Sequence, residues 1–278
     1  MATALLFPGQ GSQTSRMRDH VAQVRPDLLA LAVEVSGEDP FLRVDEGTAY
    51  AQPAIFCASL AGFSALGCPQ AEFFAGHSLG EFGALVAAGA ISELDGLALV
   101  SLRGRLMQDA GEHAGDGGMI ALVGADAAAR AGDLAAAHGL AVANDNSPQQ
   151  VVLSGPRQAL AGAEEAASQA GLRALILPVT GAFHSDMMAS AAAPFAAALA
   201  DVAIHEPESG TVISAVTAEP FVDVRGQLVD ALTSPVRWRE VMLSLHRSGA
   251  ERFVEVGPGR VLTGLAKRTL RDVELVSA

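Results

Sequence analysis

The chain has 278 residues, half of them apolar and 18% charged, enough to bury a sizeable core as one large domain or two smaller ones. A formal charge of −13 argues against a general nucleic-acid binder, and no membrane span is expected, because no apolar run reaches about 18 residues. Cys57 and Cys68 are the only cysteines, too few for a disulfide framework or a zinc cluster, so no metal site is expected.

The first residues lack the basic region and long apolar run of a signal peptide, so a cytoplasmic location is expected. Residues 3–7 form an apolar run stopped by Pro8 and Gly9, which reads as a strand entering a loop. Residues 52–66 are apolar for long enough to be a buried helix. Residues 72–75 read as a second strand ending at Gly76, 79–90 as a helix and 93–110 as an amphipathic helix. The pattern then changes: strand 118–124, helix 125–137, strand 140–143, a dense turn signal at 144–148, strand 150–154, helix 156–170 and strand 172–177. This β-α-β-β-α-β order is that of a ferredoxin-like unit. It predicts a small domain, 118–181, inserted into a larger one made of 1–117 and 182–278. The remaining elements are helix 185–200, strand 211–214, helix 236–247, strand 252–256 and a last helix starting near Arg260. Strands alternating with helices predict an α/β fold with a mostly parallel sheet.

Gly76-His77-Ser78-Leu79-Gly80 fits G-x-S-x-G between a predicted strand and a predicted helix, the setting in which the serine is an exposed nucleophile. The Leu79 amide then lies at a helix N-terminus, where an oxyanion would form. A nucleophilic serine needs a base. Of seven histidines, His184 stands out, because it sits in a loop after the last strand of the inserted unit and just before a helix. In the amphipathic helix, Leu99, Leu102, Leu106 and Ala110 mark an apolar stripe and Arg103 falls inside it. A guanidinium on a core face must find an anion, either a structural one or a substrate carboxylate. The Gly9-Gln10-Gly11 loop after the first strand lets the backbone approach a ligand and could supply a second oxyanion N–H.

Together these motifs resemble the malonyl-CoA:acyl-carrier-protein transacylase family, which includes the acyltransferase domains of fatty-acid and polyketide synthases. The resembling segments are FPGQGSQ (7–13), GHSLGE (76–81), RGRLMQ (103–108), NSPQQVV (146–152), GAFHS (181–185), SPVRW (234–238) and EVGPGRVLTGLAKR (255–268). They run in family order across nearly the whole chain. The resemblance implies a large α/β-hydrolase-like domain with a ferredoxin-like insert. It makes Ser78 the nucleophile, His184 its base, the amides of Gln10 and Leu79 the oxyanion hole, and Arg103 the holder of the malonyl carboxylate. It places Phe183, Met107, His77 and Asn146 around the acyl pocket, with Phe183 in the form typical of malonyl selection. Backbone carbonyls near Ala231, where the family usually has glutamine, would orient the histidine. No permanently bound cofactor is implied; malonyl-CoA is the substrate and an acyl carrier protein the partner. A malonyl-transferring subunit of a malonate decarboxylase, a discrete polyketide-synthase acyltransferase acting in trans and a serine hydrolase are the alternatives.

Charge is unevenly spread. Residues 1–224 carry nine basic and 25 acidic side chains, whereas 225–271 carry nine basic and four acidic. Arg237, Arg260, Lys267, Arg268 and Arg271 in that segment are a possible docking surface for the carrier or CoA, both of them anionic.

Overall fold

The computed structural model describes residues 1–277; Ala278, the last residue of the expected large domain, lies outside the described residues. In chain order the first half holds β1 (Ala2–Phe7), α1 (Met17–Val24), α2 (Pro26–Ser36), a 3-10 turn (Pro40–Arg43), α3 (Thr48–Ala65), β2 (Phe73–Gly76), α4 (Gly80–Ala87) and α5 (Glu93–His113). Next come β3 (Gly117–Val123), α6 (Ala127–His138), β4 (Ala141–Ser147), β5 (Gln150–Pro156), α7 (Arg157–Gln169) and β6 (Arg173–Ile176). The chain closes with a 3-10 turn (Asp186–Met188), α8 (Ala189–Ala200), β7 (Thr211–Ile213), α9 (Val224–Asp230), α10 (Trp238–Arg247), β8 (Ala250–Glu255), α11 (Val261–Thr269) and β9 (Glu274–Ser277).

Two sheets organise these elements. The first has the order β7-β2-β1-β8-β9 and every pairing in it is parallel. Its central strand β1 alternates between two cores: Leu5 and Phe7 join the one built around α3, and Ala4 and Leu6 join the one containing Trp238. A strand apolar on both faces is what a parallel sheet covered on both sides requires. The second sheet has the order β4-β5-β3-β6, is antiparallel throughout, and packs α6 and α7 over a third core centred on Ile120, Leu122 and Leu153.

Helix α3 is buried along most of its length, which explains its lack of an apolar stripe. Helix α5 starts where the Ser92 side chain accepts the Asp95 amide and runs three residues past the expected end, to His113.

The structure departs from the sequence reading in several places. Helices α1, α2 and α9 and strand β9 were not expected. The helix expected from 185 begins at Ala189, after the 3-10 turn. Residues 144–147, expected as a turn, belong to β4, and the turn is confined to 148–149. The cause is tertiary. The Asp145 amide donates to the Val236 carbonyl at 2.9 Å, and the Val236 amide donates to the Ala143 carbonyl at 2.8 Å. The Arg239 guanidinium also meets the Asp145 carboxylate with two nitrogens, at 2.7 and 3.0 Å. These partners hold a run of Asn and Asp extended despite its turn propensity.

Candidate active site

Strands β1 and β2 pair in register, with Phe7 opposite Gly76, so the loops leaving their carboxyl ends emerge side by side. In open parallel sheets this edge is where ligands bind. The two loops are in contact: the His77 amide donates to the Phe7 carbonyl at 2.9 Å, and a Cβ placed on Gly9 would lie 2.5 Å from the His77 carbonyl oxygen. The turn between β2 and α4 is equally tight. A Cβ on Gly76 would sit 2.0 Å from the Gly80 carbonyl carbon, so only glycine fits. Ser78 takes φ +54°, a left-handed conformation unusual for a residue with a side chain.

The Ser78 hydroxyl lies 2.9 Å from His184 Nε2 and accepts a hydrogen bond from Arg103 Nη2 at 3.1 Å. His184, itself at φ +59°, has Nδ1 at 2.8 Å from the Ala231 carbonyl oxygen and 3.2 Å from that of Ser234. Two acceptors on Nδ1 place the proton there and leave Nε2 as the acceptor facing the serine. Burial, reinforced by the positive charge of Arg103 and by His77, pushes the His184 pKa down to about 3. The imidazole is therefore neutral at neutral pH, with its unprotonated Nε2 toward the serine.

Arg103 is 2% exposed, which answers the oddity of a cation on an apolar helical stripe. Its Nη1 donates to Gln52 Oε1 at 2.8 Å, and its Nε has no acceptor among the described residues. Burial pushes its pKa down to about 10, opposed by the charge of Glu81. Glu81, on the first turn of α4, is also buried; its Oε1 accepts the Ala215 amide at 2.7 Å, and burial pushes its carboxyl up to about 7. Among the described residues no carboxylate forms an ion pair with the guanidinium, which lines the cavity beside Ser78.

These groups open onto a cavity of about 390 Å³ between the two sheets. The cavity brings together Gln10, His77, Ser78, Leu79, Arg103, Met107, Asn146, Phe183 and His184, every residue expected at the nucleophile and the acyl pocket. His77 Nε2 lies 2.8 Å from Asn146 Oδ1, which joins the nucleophile turn to β4. The amides of Gln10 and Leu79 take no part in the hydrogen bonds of the described residues, so both are free to donate.

The expected docking residues divide. Arg237 is committed to Glu240 and to the carbonyls of Val216 and Thr217. Arg260, Lys267, Arg268 and Arg271 are exposed and carry no ion pair among the described residues. They sit on or beside α11, whose Val261, Leu262 and Leu265 line the cavity. Sequence reasoning missed Gln52, Thr48 and Glu81. A lone amide at the head of the apolar run at 52–66, four residues after a threonine, was the available signal for the first two. Among the described residues no cluster of side chains could hold a metal ion, and no helix is long and apolar enough to cross a membrane.

A mixed α/β frame with a serine and a neutral histidine in contact at the end of its parallel strands defines a protein of the serine–histidine α/β class. Within it, the chain belongs to the acyl transferase domain family, whose pattern matches residues 40–278. It is 39% identical over 284 residues to the malonyl CoA-acyl carrier protein transacylase of Escherichia coli K12, covering 95% of this chain and 92% of that one. It is 41% identical over 285 residues to the polyketide biosynthesis protein ThaF of Burkholderia thailandensis, covering 96% of this chain but only 24% of that much longer protein. The crystal structure of an acyl carrier protein S-malonyltransferase from Vibrio cholerae superposes with a TM-score of 0.89 at 38% identity, over 100% of this chain and 97% of that one.

Proposed function

We propose that the protein is an acyltransferase that moves a malonyl group from malonyl-CoA to the phosphopantetheine thiol of an acyl carrier protein through a malonyl-serine ester. The observation that carries this reading is one hydroxyl, Ser78, held between a neutral imidazole at 2.9 Å and a buried guanidinium at 3.1 Å. A hydrolase needs the first contact and has no use for the second.

In this reading His184 Nε2 takes the Ser78 proton as Oγ attacks the thioester carbonyl. The amides of Gln10 and Leu79 hold the developing oxyanion. The C–S bond breaks, the CoA thiolate leaves with the proton from His184, and Ser78 carries the malonyl ester. The carrier's thiol, deprotonated by His184, attacks that ester and releases malonyl-carrier and free Ser78. Arg103 pairs with the malonyl carboxylate and holds the ester in one pose. A neutral acyl group leaves the buried charge without its anion, which is a strong rejection. Met107, His77, Asn146 and Phe183 shape the acyl pocket. Exposed Arg260, Lys267, Arg268 and Arg271 receive the anionic carrier or CoA at the cavity mouth. The larger body, 1–117 and 182–278, is read as α/β-hydrolase-like and 118–181 as a ferredoxin-like insert, a reading supported by the order β4-β5-β3-β6. The enzyme is read as cytoplasmic and without a resident cofactor. Likeness to ThaF supports the same chemistry serving polyketide assembly; discharge by one carrier and not another separates the two settings.

Intact-mass measurement after malonyl-CoA tests the reading. The parent protein is expected to gain one malonyl unit and Ser78→Ala none. Arg103→Ala is expected to lose about 100-fold or more in malonyl transfer, the scale of losing a charge-specific site, with a much smaller loss of acetyl transfer. Equal losses for the two acyl groups would remove Arg103 from the carboxylate site.

A further inference from the structure

Arg103 and Gln10 both line the cavity at the nucleophile, and two buried side chains connect them. Arg103 Nη1 donates to Gln52 Oε1 at 2.8 Å. Gln52 Nε2 donates to Thr48 Oγ1 at 2.9 Å and also contacts Met107 Sδ at 3.4 Å. Thr48 Oγ1 in turn donates to Gln10 Oε1 at 2.8 Å. The direction is fixed by chemistry. A guanidinium can only donate, so the Gln52 oxygen must face it and the Gln52 nitrogen must face Thr48. In the structure the Thr48 hydroxyl accepts from Gln52 and donates its one proton to Gln10 Oε1.

Gln52 and Thr48 are 1% and 4% exposed, so water does not compete for these contacts. Packing fixes their position against Arg103: a Cβ on Gly104 would lie 2.7 Å from the Thr48 carbonyl oxygen, so α5 rides directly on the start of α3. Gln10, by contrast, is exposed. Its loop is shaped locally by the Ser12 hydroxyl donating to the Gly9 carbonyl at 2.7 Å and by the packing of Gly9 on His77, and Thr48 is the side chain that ties Gln10 itself to α3. A glycine-bounded loop tied at its exposed residue to a buried side chain is a device for setting the position of a backbone amide.

We propose that Gln52 and Thr48 are positioning residues: they tie the arginine that reads the acyl carboxylate to the loop whose Gln10 amide completes the oxyanion hole, so that both are held in register around Ser78. This rests on the roles given above to Ser78, Arg103 and Gln10. Breaking the tether at its Gln10 end disturbs the oxyanion amide and leaves carboxylate recognition in place. Breaking it at its Arg103 end disturbs recognition too.

The test is single-turnover acylation of the full chain by malonyl- and acetyl-pantetheine. Thr48→Val, which cuts the links to both Gln10 and Gln52, is expected to slow acylation by both substrates, by roughly ten- to a hundredfold. Thr48→Ser is expected to restore the rate. Gln52→Leu is expected to lose, in addition, part of the preference for malonyl over acetyl. Gln10→Leu cuts only the link to Gln10: it is expected to slow acylation by both substrates alike, with KM for the malonyl thioester unchanged, and it serves if Thr48→Val does not fold. The variant carrying Thr48→Val and Gln10→Leu together is expected to be no slower than Thr48→Val alone, because the Gln10 link is already cut there. Full-rate acylation by Thr48→Val or Gln10→Leu, or losses that multiply in the double variant, would overturn the tether. Ser78→Ala run in parallel separates the two levels: malonyl uptake by that variant overturns the nucleophile reading itself, whereas its inactivity beside an unimpaired Thr48→Val overturns only the tether.

Discussion

Arg103, His184 and Glu81, at the centre of the site, are charged or titratable groups almost entirely buried, and each is tuned by that burial. The His184 pKa sits near 3, below the ordinary imidazole value, so the group stays neutral as pH falls through 6.5. Glu81 is shifted the opposite way, up to about 7, and takes up a proton across the same range. The expected outcome is that acylation by malonyl-pantetheine, which lacks the titrating phosphates of CoA, shows no acid limb centred on 6.5 in the Glu81→Gln variant. A limb at 6.5 in that variant would mean an imidazole with an ordinary pKa. The same shift acts on stability: a histidine depressed in the folded state costs nothing above pH 6.5 and a growing amount as pH falls toward 3. Ser78, Arg103 and His184 could be picked out of the sequence, because a glycine-flanked serine, a cation in an apolar stripe and a histidine in the loop after the antiparallel unit each break a local rule. Glu81 could not, and the lone amide four residues after a threonine marked Gln52 and Thr48 without their partners, because an amide, a hydroxyl and an acid acquire their meaning only from the groups across the fold that they touch.

At the scale of elements, the decisive piece is the turn from β2 to α4. Gly76 is its hinge, since any Cβ there meets the backbone of Gly80 and Glu81 at 2.0 and 2.1 Å. Gly76→Ala is expected to cost about 3 kcal/mol, lowering the melting temperature by on the order of 10 °C, and to abolish malonyl uptake. Thermal unfolding and intact mass read the two effects separately. A variant that melts like the parent and still acylates would mean that the turn can open without loss. Strand β4 shows the reverse relation between element and sequence. Its Asn and Asp residues favour a turn, yet Val236 and Arg239, about ninety residues further along the chain, pair with it and keep it extended.

Across the whole molecule, charge and shape come together at one place. The chain is strongly acidic, and four exposed cations without an ion pair among the described residues gather around α11, whose Val261, Leu262 and Leu265 line the cavity. On the proposed reading, in which the carrier and CoA are anionic, positive charge concentrated there raises the association rate. Replacing Arg268 and Arg271 by Glu is expected to slow carrier-dependent discharge of the malonyl enzyme by roughly tenfold at low salt, with the difference shrinking as salt rises and hydrolysis unchanged. Stopped-flow discharge at two ionic strengths measures this. Unchanged discharge at low salt would make the patch an ordinary solvated face. Arg237 does not belong to the patch, because its guanidinium is committed to Glu240.

The linear chain by itself determined the alternation of strands and helices, the antiparallel unit within the parallel one, and the family to which its motifs point. These follow from short-range rules of periodicity, glycine placement and motif spacing, which survive without knowledge of neighbours. Only the tertiary structure decided what lies between the motifs. Contact across the fold determines that Arg103 shares the Ser78 hydroxyl with His184, and that carbonyls of Ala231 and Ser234 set the imidazole proton. It also determines that Gln52 and Thr48 run from the arginine to the Gln10 loop. Hydrogen bonds among buried groups depend on distances between segments far apart in the chain, and no local pattern encodes those distances.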